Sequence, residues 1–316
     1  MIRNAVIGGG IWLAIVLAGQ ISGRFGRSWI ELLLLFAPMV IVPLGLEVTR
    51  QLDSESRARS PEKLAGRIQL PAALAAAFSF YSGSQFVTAG LAALWLAFAT
   101  ILAAGRVWRI FRTRSRSFGE LSALLAFVYL VVGAAWFVAS RLRWHPMDFR
   151  EPIVLLTAVH FHYAGFAAAI LVRALWDNLK RGLVRSLLFP VAALGALSGP
   201  ALLAAGFVIG PTLKLIAALL VALGEIALAA CFATALPGTT QASARILLFV
   251  SAASVALAMC LAALWALGEF PRQPFLDIAR MAAWHGSLNA FGFTFCGLTA
   301  FACCQPTWRF GKGRTI

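Results

Sequence analysis

Apolar runs follow one another from Ala5 to Ala302, and no gap between them has room for a sizeable soluble domain. A helix rises about 1.5 Å per residue, so crossing some 30 Å of hydrocarbon takes about 20 apolar residues. Runs of this kind fall at 5–22, 28–47, 68–82, 85–105, 118–140, 153–175, 185–208, 212–236, 243–267 and 277–302. Lipid offers the backbone no hydrogen-bond partner, so each run must satisfy its own amides as a helix. The expected fold is therefore all-α: a polytopic membrane helical bundle of about ten transmembrane helices, forming a single transmembrane domain over residues 1–316. The third run is short, and its separation from the fourth rests on the turn-like cluster Tyr81-Ser82-Gly83-Ser84-Gln85. If that cluster is only a kink, the count is nine. Composition agrees, with 61% hydrophobic and 12% charged residues against roughly a quarter charged in soluble domains.

Charge gives the orientation. A net charge of +15 suggests nucleic acid at first sight, but the basic residues sit in short loops between apolar runs. Arg50, Arg57, Arg59, Lys63 and Arg67 share one loop, and Arg106, Arg109, Arg112, Arg114 and Arg116 the next alternate one. Arg173, Lys180, Arg181 and Arg185 follow, then Arg309, Lys312 and Arg314 in the tail, with Arg3 and Arg245 on the same side. Together these are most of the 27 Lys and Arg residues, an asymmetry that puts both termini in the cytoplasm of a bacterial inner membrane. No nucleic-acid partner is expected. The first run, interrupted by Gly8-Gly9-Gly10 and carrying Gln20, reads as a first membrane helix rather than a signal peptide. The five cysteines lie in or at the ends of apolar runs with no CxxC spacing, and read as small buried side chains.

Against this apolar background two segments stand out. Thr157-Ala-Val-His-Phe-His-Tyr-Ala-Gly-Phe166 sets His160, His162 and Tyr163 inside one run, and Ala283-Trp-His-Gly-Ser-Leu-Asn-Ala-Phe-Gly-Phe293 sets His285 and Asn289 inside another. An ionisable side chain at such depth must find a partner in protein or water, which makes it a functional candidate. On a regular helix His160 and His162 differ by about 200° and His160 and Tyr163 by about 60°. One histidine then faces a polar cavity with the tyrosine, while the other meets a neighbouring helix. His285 and Asn289, four residues apart, share a face, and Gly286 and Gly292 let another helix or a ligand approach the backbone. Glu225 is a carboxyl group near the midplane, costly there unless protonated or paired. In the ten-helix arrangement the sixth, eighth and tenth helices run the same way, so these residues lie roughly 8–13 residues from the outer ends, at similar depth. Glu47 beside Arg50 reads as an interfacial ion pair, and His145 as an outer-loop residue.

These two histidine segments resemble the paired motifs of the YndJ-like family of bacterial membrane proteins, and Ala37-Pro-Met-Val-Ile-Val-Pro-Leu-Gly-Leu46 resembles its early-helix pattern. The similarity spans most of the chain. It implies that the two histidine motifs act together.

The function expected from the residues is an intramembrane enzyme, an isomerase or cyclase doing acid/base chemistry on a lipophilic substrate. The catalytic candidates are His160, His162, Tyr163, His285, Asn289 and Glu225, flanked by Phe161, Phe166, Trp284, Phe291 and Phe293. A histidine exchanges protons near neutrality, Asn289 can orient a carbonyl or hydroxyl, and Glu225 can serve as acid. A proton-coupled secondary transporter of a small or lipophilic solute uses the same residue types. A metal or haem would need His160 or His162 with His285, with no carboxylate or cysteine at ligand spacing, so no cofactor and no metal is expected. The oligomeric state is left open.

Overall fold

The computed structural model describes residues 1–22, 29–53, 61–81, 83–179, 182–236, 239 and 241–304. Ten long helices build it: α1 (Ile2–Ser22), α2 (Trp29–Leu52), α3 (Pro61–Phe78), α4 (Gln85–Thr113), α5 (Phe118–Arg141), α6 (Ile153–Asn178), α7 (Val184–Ile209), α8 (Pro211–Ala235), α9 (Ala242–Glu269) and α10 (Ile278–Cys303). No strand occurs among the described residues. Among the described residues nine of these helices are long and apolar enough to cross a membrane, and the chain is an all-helical membrane protein. The exception is α3, which begins at Pro61 rather than near residue 68, and ends at Phe78 rather than at 82. Its first turns contain Glu62, Lys63 and Arg67, charges that hydropathy reads as loop. Between α3 and α4 the amides of Phe80 and Tyr81 bond back to Ala77 and Phe78 in a tight turn, so these are two helices, not one kinked span. Arg57, Arg59, Lys180, Arg181, Arg309, Lys312 and Arg314, part of the orientation signal, lie outside the described residues.

Helices α2 and α6 form the inside of the bundle, with 89% and 72% of their most apolar windows buried, against 17% for α1. Within lipid the apolar surface of a helix gains little by leaving the bilayer, so close packing has to supply the association energy. Glycine provides it between α7 and α8. A Cβ on Gly195 would stand 2.5 Å from the Gly224 Cα, and one on Gly206 would stand 2.6 Å from the Lys214 Cα. The two backbones therefore touch along their length, one residue away from Glu225. Pro200 interrupts α7, and the Tyr129 hydroxyl donates to the Leu197 carbonyl nearby at 2.6 Å.

Among the described residues four helices are locally widened, α7 at its start over Val184–Leu188 and three others within their length. Residues Ala37–Ile41 of α2, Phe161–Ala167 of α6, and Ala282–Gly286 with Leu288–Phe295 of α10 form π-helical turns. Such turns free backbone carbonyls from the usual ladder. In α10 the Thr294 hydroxyl answers for two of them, donating to Asn289 at 2.9 Å and to Ala290 at 3.0 Å.

At the arginine-rich end, four helices are tied by buried ions. Asp53, just after α2, pairs through Oδ2 with Arg106 at 2.7 Å and Arg109 at 3.3 Å, both on α4, and through Oδ1 with Arg173 on α6. Glu120, in the first turn of α5, pairs with Arg106 and Arg109, each at 3.0 Å. Glu47 pairs with Arg50 at the same end, as the sequence suggests.

Candidate functional site

The π turn of α6 begins immediately after His160, and the two histidines of that segment part company there. The His160 Nδ1–H donates to the Leu156 carbonyl at 2.8 Å. A carbonyl only accepts, so the proton sits on Nδ1 and Nε2 is left as an acceptor. His160 lines a cavity of about 610 Å³. His162 does not line it. Fully buried, it donates from Nδ1 to the Ala158 carbonyl at 2.7 Å and accepts at Nε2 from the Trp95 indole of α4 at 2.9 Å. Both its nitrogens are spent in packing helices together. Gly133 of α5 makes room for it, since a Cβ there would lie 2.8 Å from His162 Nδ1.

The other candidates converge on the same cavity. On α10, His285 Nδ1–H donates to the Ala258 carbonyl of α9 at 2.9 Å, and Asn289 Nδ2 lies 3.2 Å from His285 Nε2 and 2.9 Å from the His285 carbonyl. The His160 and His285 rings lie almost parallel, 6.5 Å between centroids. The Tyr163 hydroxyl donates to the Leu33 carbonyl of α2 at 2.7 Å, where it also fixes the widened α6 against α2. Glu225 lines the cavity from α8, 4% exposed, and its Oε2 is buried without a hydrogen-bond partner. Of the six candidates, His160, Tyr163, Glu225, His285 and Asn289 share one cavity. Among the aromatic residues, Phe161 and Phe293 line it as well, whereas Phe166 packs on Phe127 and Gly45, Phe291 joins Trp12, Trp29 and Phe36, and Trp284 is exposed. Gly286 and Gly292 admit neighbouring helices: a Cβ on them would strike Leu33 at 2.6 Å and the Ser254 hydroxyl at 2.1 Å.

The cavity is a long one. Along α8 its wall is Pro211, Lys214, Leu215, Ala218, Val221 and Glu225, one helical face read every three or four residues. From Lys214 to Glu225 that face runs about 16 Å at 1.5 Å per residue. Around the Lys214 end the chain places Met147, Phe149 and Phe270, with the Lys214 ammonium 2.7 Å from Glu269. Apart from this pair and the five residues above, the wall is almost wholly apolar. Sequence reading passed over Lys214 and Glu269, each at the end of a long run. The repeat from 211 to 225 was the signal that could have joined Lys214 to Glu225. Among the described residues no group of three His, Cys, Asp or Glu is placed to hold a metal ion.

The family model described as YndJ-like protein matches residues 32–293, which include both histidine segments and Glu225. The uncharacterized membrane protein YndJ of Bacillus subtilis (strain 168) is 29% identical over 220 residues, 68% of this chain. The match covers only 39% of that relative's length. No solved structure matches. With a family match across most of its length, the chain belongs to the YndJ-like family.

Proposed function

We propose that this is an intramembrane enzyme of the bacterial cytoplasmic membrane that moves protons on a lipophilic substrate, as an isomerase or cyclase. The observation that carries the reading is a histidine Nε2 left as an acceptor and a carboxyl oxygen left without a partner, both at one apolar cavity. A substrate C–H or O–H proton passes to His160 Nε2, and protonated Glu225 returns a proton elsewhere on the same molecule. The sum is a shifted double bond or a closed ring with no net gain or loss of atoms. His285 and Asn289 offer polar contacts to a carbonyl or hydroxyl, and the apolar wall excludes the water that would quench a charged intermediate. At about 30 Å³ for each water-sized atom, 610 Å³ accommodates a skeleton of about twenty heavy atoms.

The test is mass spectrometry of lipophilic extracts from cells with the wild-type protein, His160→Ala, Glu225→Gln or His285→Ala. One species disappears and an isomer of equal mass accumulates in all three variants. Extracts that do not differ from wild type overturn the enzyme reading. Transport is the second reading, favoured by the charged Lys214–Glu269 end of a cavity that reaches a buried carboxyl group. It predicts unchanged metabolites together with a proton-coupled flux in proteoliposomes that Glu225→Gln abolishes.

A further inference from the structure

At the polar end of the histidine cavity the side-chain donors are spent on the protein and the acceptors are not. His160 and His285 give their Nδ1–H groups to the Leu156 and Ala258 carbonyls, and Tyr163 gives its hydroxyl proton to the Leu33 carbonyl. Thr294 gives its own to Asn289 and Ala290. The Asn289 amide turns its nitrogen to the His285 carbonyl and Nε2, an orientation the carbonyl fixes because it only accepts. Three acceptor atoms are left over: His160 Nε2, Asn289 Oδ1 and Glu225 Oε2. All three residues line the cavity.

Glu225 is the most demanding of them. It is 4% exposed, and a carboxyl group at that depth is costly unless it is neutral or meets a cation. Among the described residues no lysine or arginine forms an ion pair with it. Lys214, on the same face of α8, lies about 16 Å away along the helix and is already held by Glu269 at 2.7 Å. A ligand that suits this end therefore brings N–H or O–H groups and a positive charge. A hydroxyl brings one donor, whereas a primary ammonium brings three and the charge as well. Trp136, Phe161, Tyr163 and Phe293 also line the cavity, and the faces of such rings attract a cation. Between Glu225 and Lys214 the wall is Leu215, Ala218 and Val221, which suits an apolar body.

We propose that the ligand of this cavity is a lipophilic primary amine, its nitrogen at His160, Asn289 and Glu225 and its apolar body along α8 toward Lys214. The proposal deepens the reading of this cavity as a substrate site, on which it rests. The amine enters neutral from the bilayer. The Glu225 carboxyl proton then moves to its nitrogen, which leaves an ammonium–carboxylate pair and brings no net charge into the apolar interior.

Dodecylamine is the probe, with dodecanol and dodecanoate as controls of matched chain, added to the protein in phosphatidylcholine nanodiscs. Trp136 and Trp265 both line the cavity and report saturable occupancy by their fluorescence. Wild type binds the amine about tenfold more tightly than the alcohol, equivalent to about 1.4 kcal/mol, and dodecanoate gives no saturable change. Glu225→Gln keeps the shape of the side chain without its charge, and weakens amine binding about tenfold while alcohol binding stays as it was. Should that variant fail to fold, as melting curves show, the order of the three probes on wild type decides. A wild type that does not prefer the amine, or a folded Glu225→Gln variant that binds it as wild type does, overturns the proposal. None of the probes has to react, so the two readings fail separately. Unchanged lipophilic extracts overturn catalysis and leave the amine preference standing, whereas a lost preference leaves proton transfer on a neutral substrate.

Discussion

His160 and His285 face each other with ring centroids 6.5 Å apart, although 125 positions separate them along the chain and each is held by a different carbonyl. Neither ring spends its Nε2 on a backbone group. His162, two residues from His160, spends both nitrogens. The two histidines of one short segment are thus expected to answer mutation in opposite ways.

His162→Ala removes an acceptor from a buried Trp95 N–H and leaves a void between α4 and α6, so it destabilises the fold by about 2–4 kcal/mol. His160→Ala, at the cavity wall, shifts stability by less than about 1 kcal/mol and, on the function proposed above, abolishes that activity instead. Denaturant unfolding of both purified variants, compared with wild type, measures the difference. Equal stability losses would refute this division of labour.

Asp53→Ala leaves Arg106 and Arg173 buried without their shared carboxylate. Removing one partner of a buried ion network costs about 3–5 kcal/mol, because the remaining charges stay out of water. Thermal unfolding in detergent is expected to fall sharply for Asp53→Ala and hardly at all for Arg280→Ala, whose ion pair with Asp277 is exposed on both sides.

The same carboxylate sets an acid limit. Burial works to raise the Asp53 value, but the Arg106 and Arg173 guanidiniums outweigh it and hold the group below its ordinary 3.8. A depressed carboxylate stabilises the folded state fully above its ordinary value and loses that contribution as pH falls through the folded one. Unfolding temperature should therefore show no Asp53-dependent change between pH 7 and about pH 5 and fall below about pH 4. In Asp53→Asn that acid-dependent step is reduced, which a pH series of melting curves reads directly.

Gly195→Ala forces a methyl group to within 2.5 Å of the Gly224 Cα. Separating α7 from α8 costs about 1–3 kcal/mol by overpacking and displaces Glu225, the next residue on α8. Gly90→Ala, where a Cβ meets nothing within 4 Å, is the control and leaves stability unchanged or slightly raised. A melting comparison of the two variants checks it.

Much of this was legible in the residues. Hydropathy located the helices because lipid penalises any other backbone, and α3 escaped it where its first turns are charged. Depth counting brought Glu225 together with His160, His285 and Asn289, since helices running the same way place equal counts at equal heights. Helical phase separated His160 from His162, but could not foresee the π turns that follow, which depend on side chains such as Thr294 and on contacts from other helices. The ion network stayed hidden for a different reason. Arg106 and Arg173 were counted with the loop charges that orient the chain, whereas Asp53 and Glu120, acids beside those basic loops, were the sign that some arginines turn inward.

The widened turn at Phe161–Ala167 divides α6 into two parts, with His160 before it and Arg173 after it. Relaxing that turn to an ordinary helix would rotate everything beyond it by about 100° and advance it by about 1.5 Å. Arg173 would then swing away from Asp53 and lose that carboxylate while its own charge stays buried. The salt bridge at one side of the membrane is in effect a ratchet pawl: it keeps α6 wound in the register that presents His160 to the cavity.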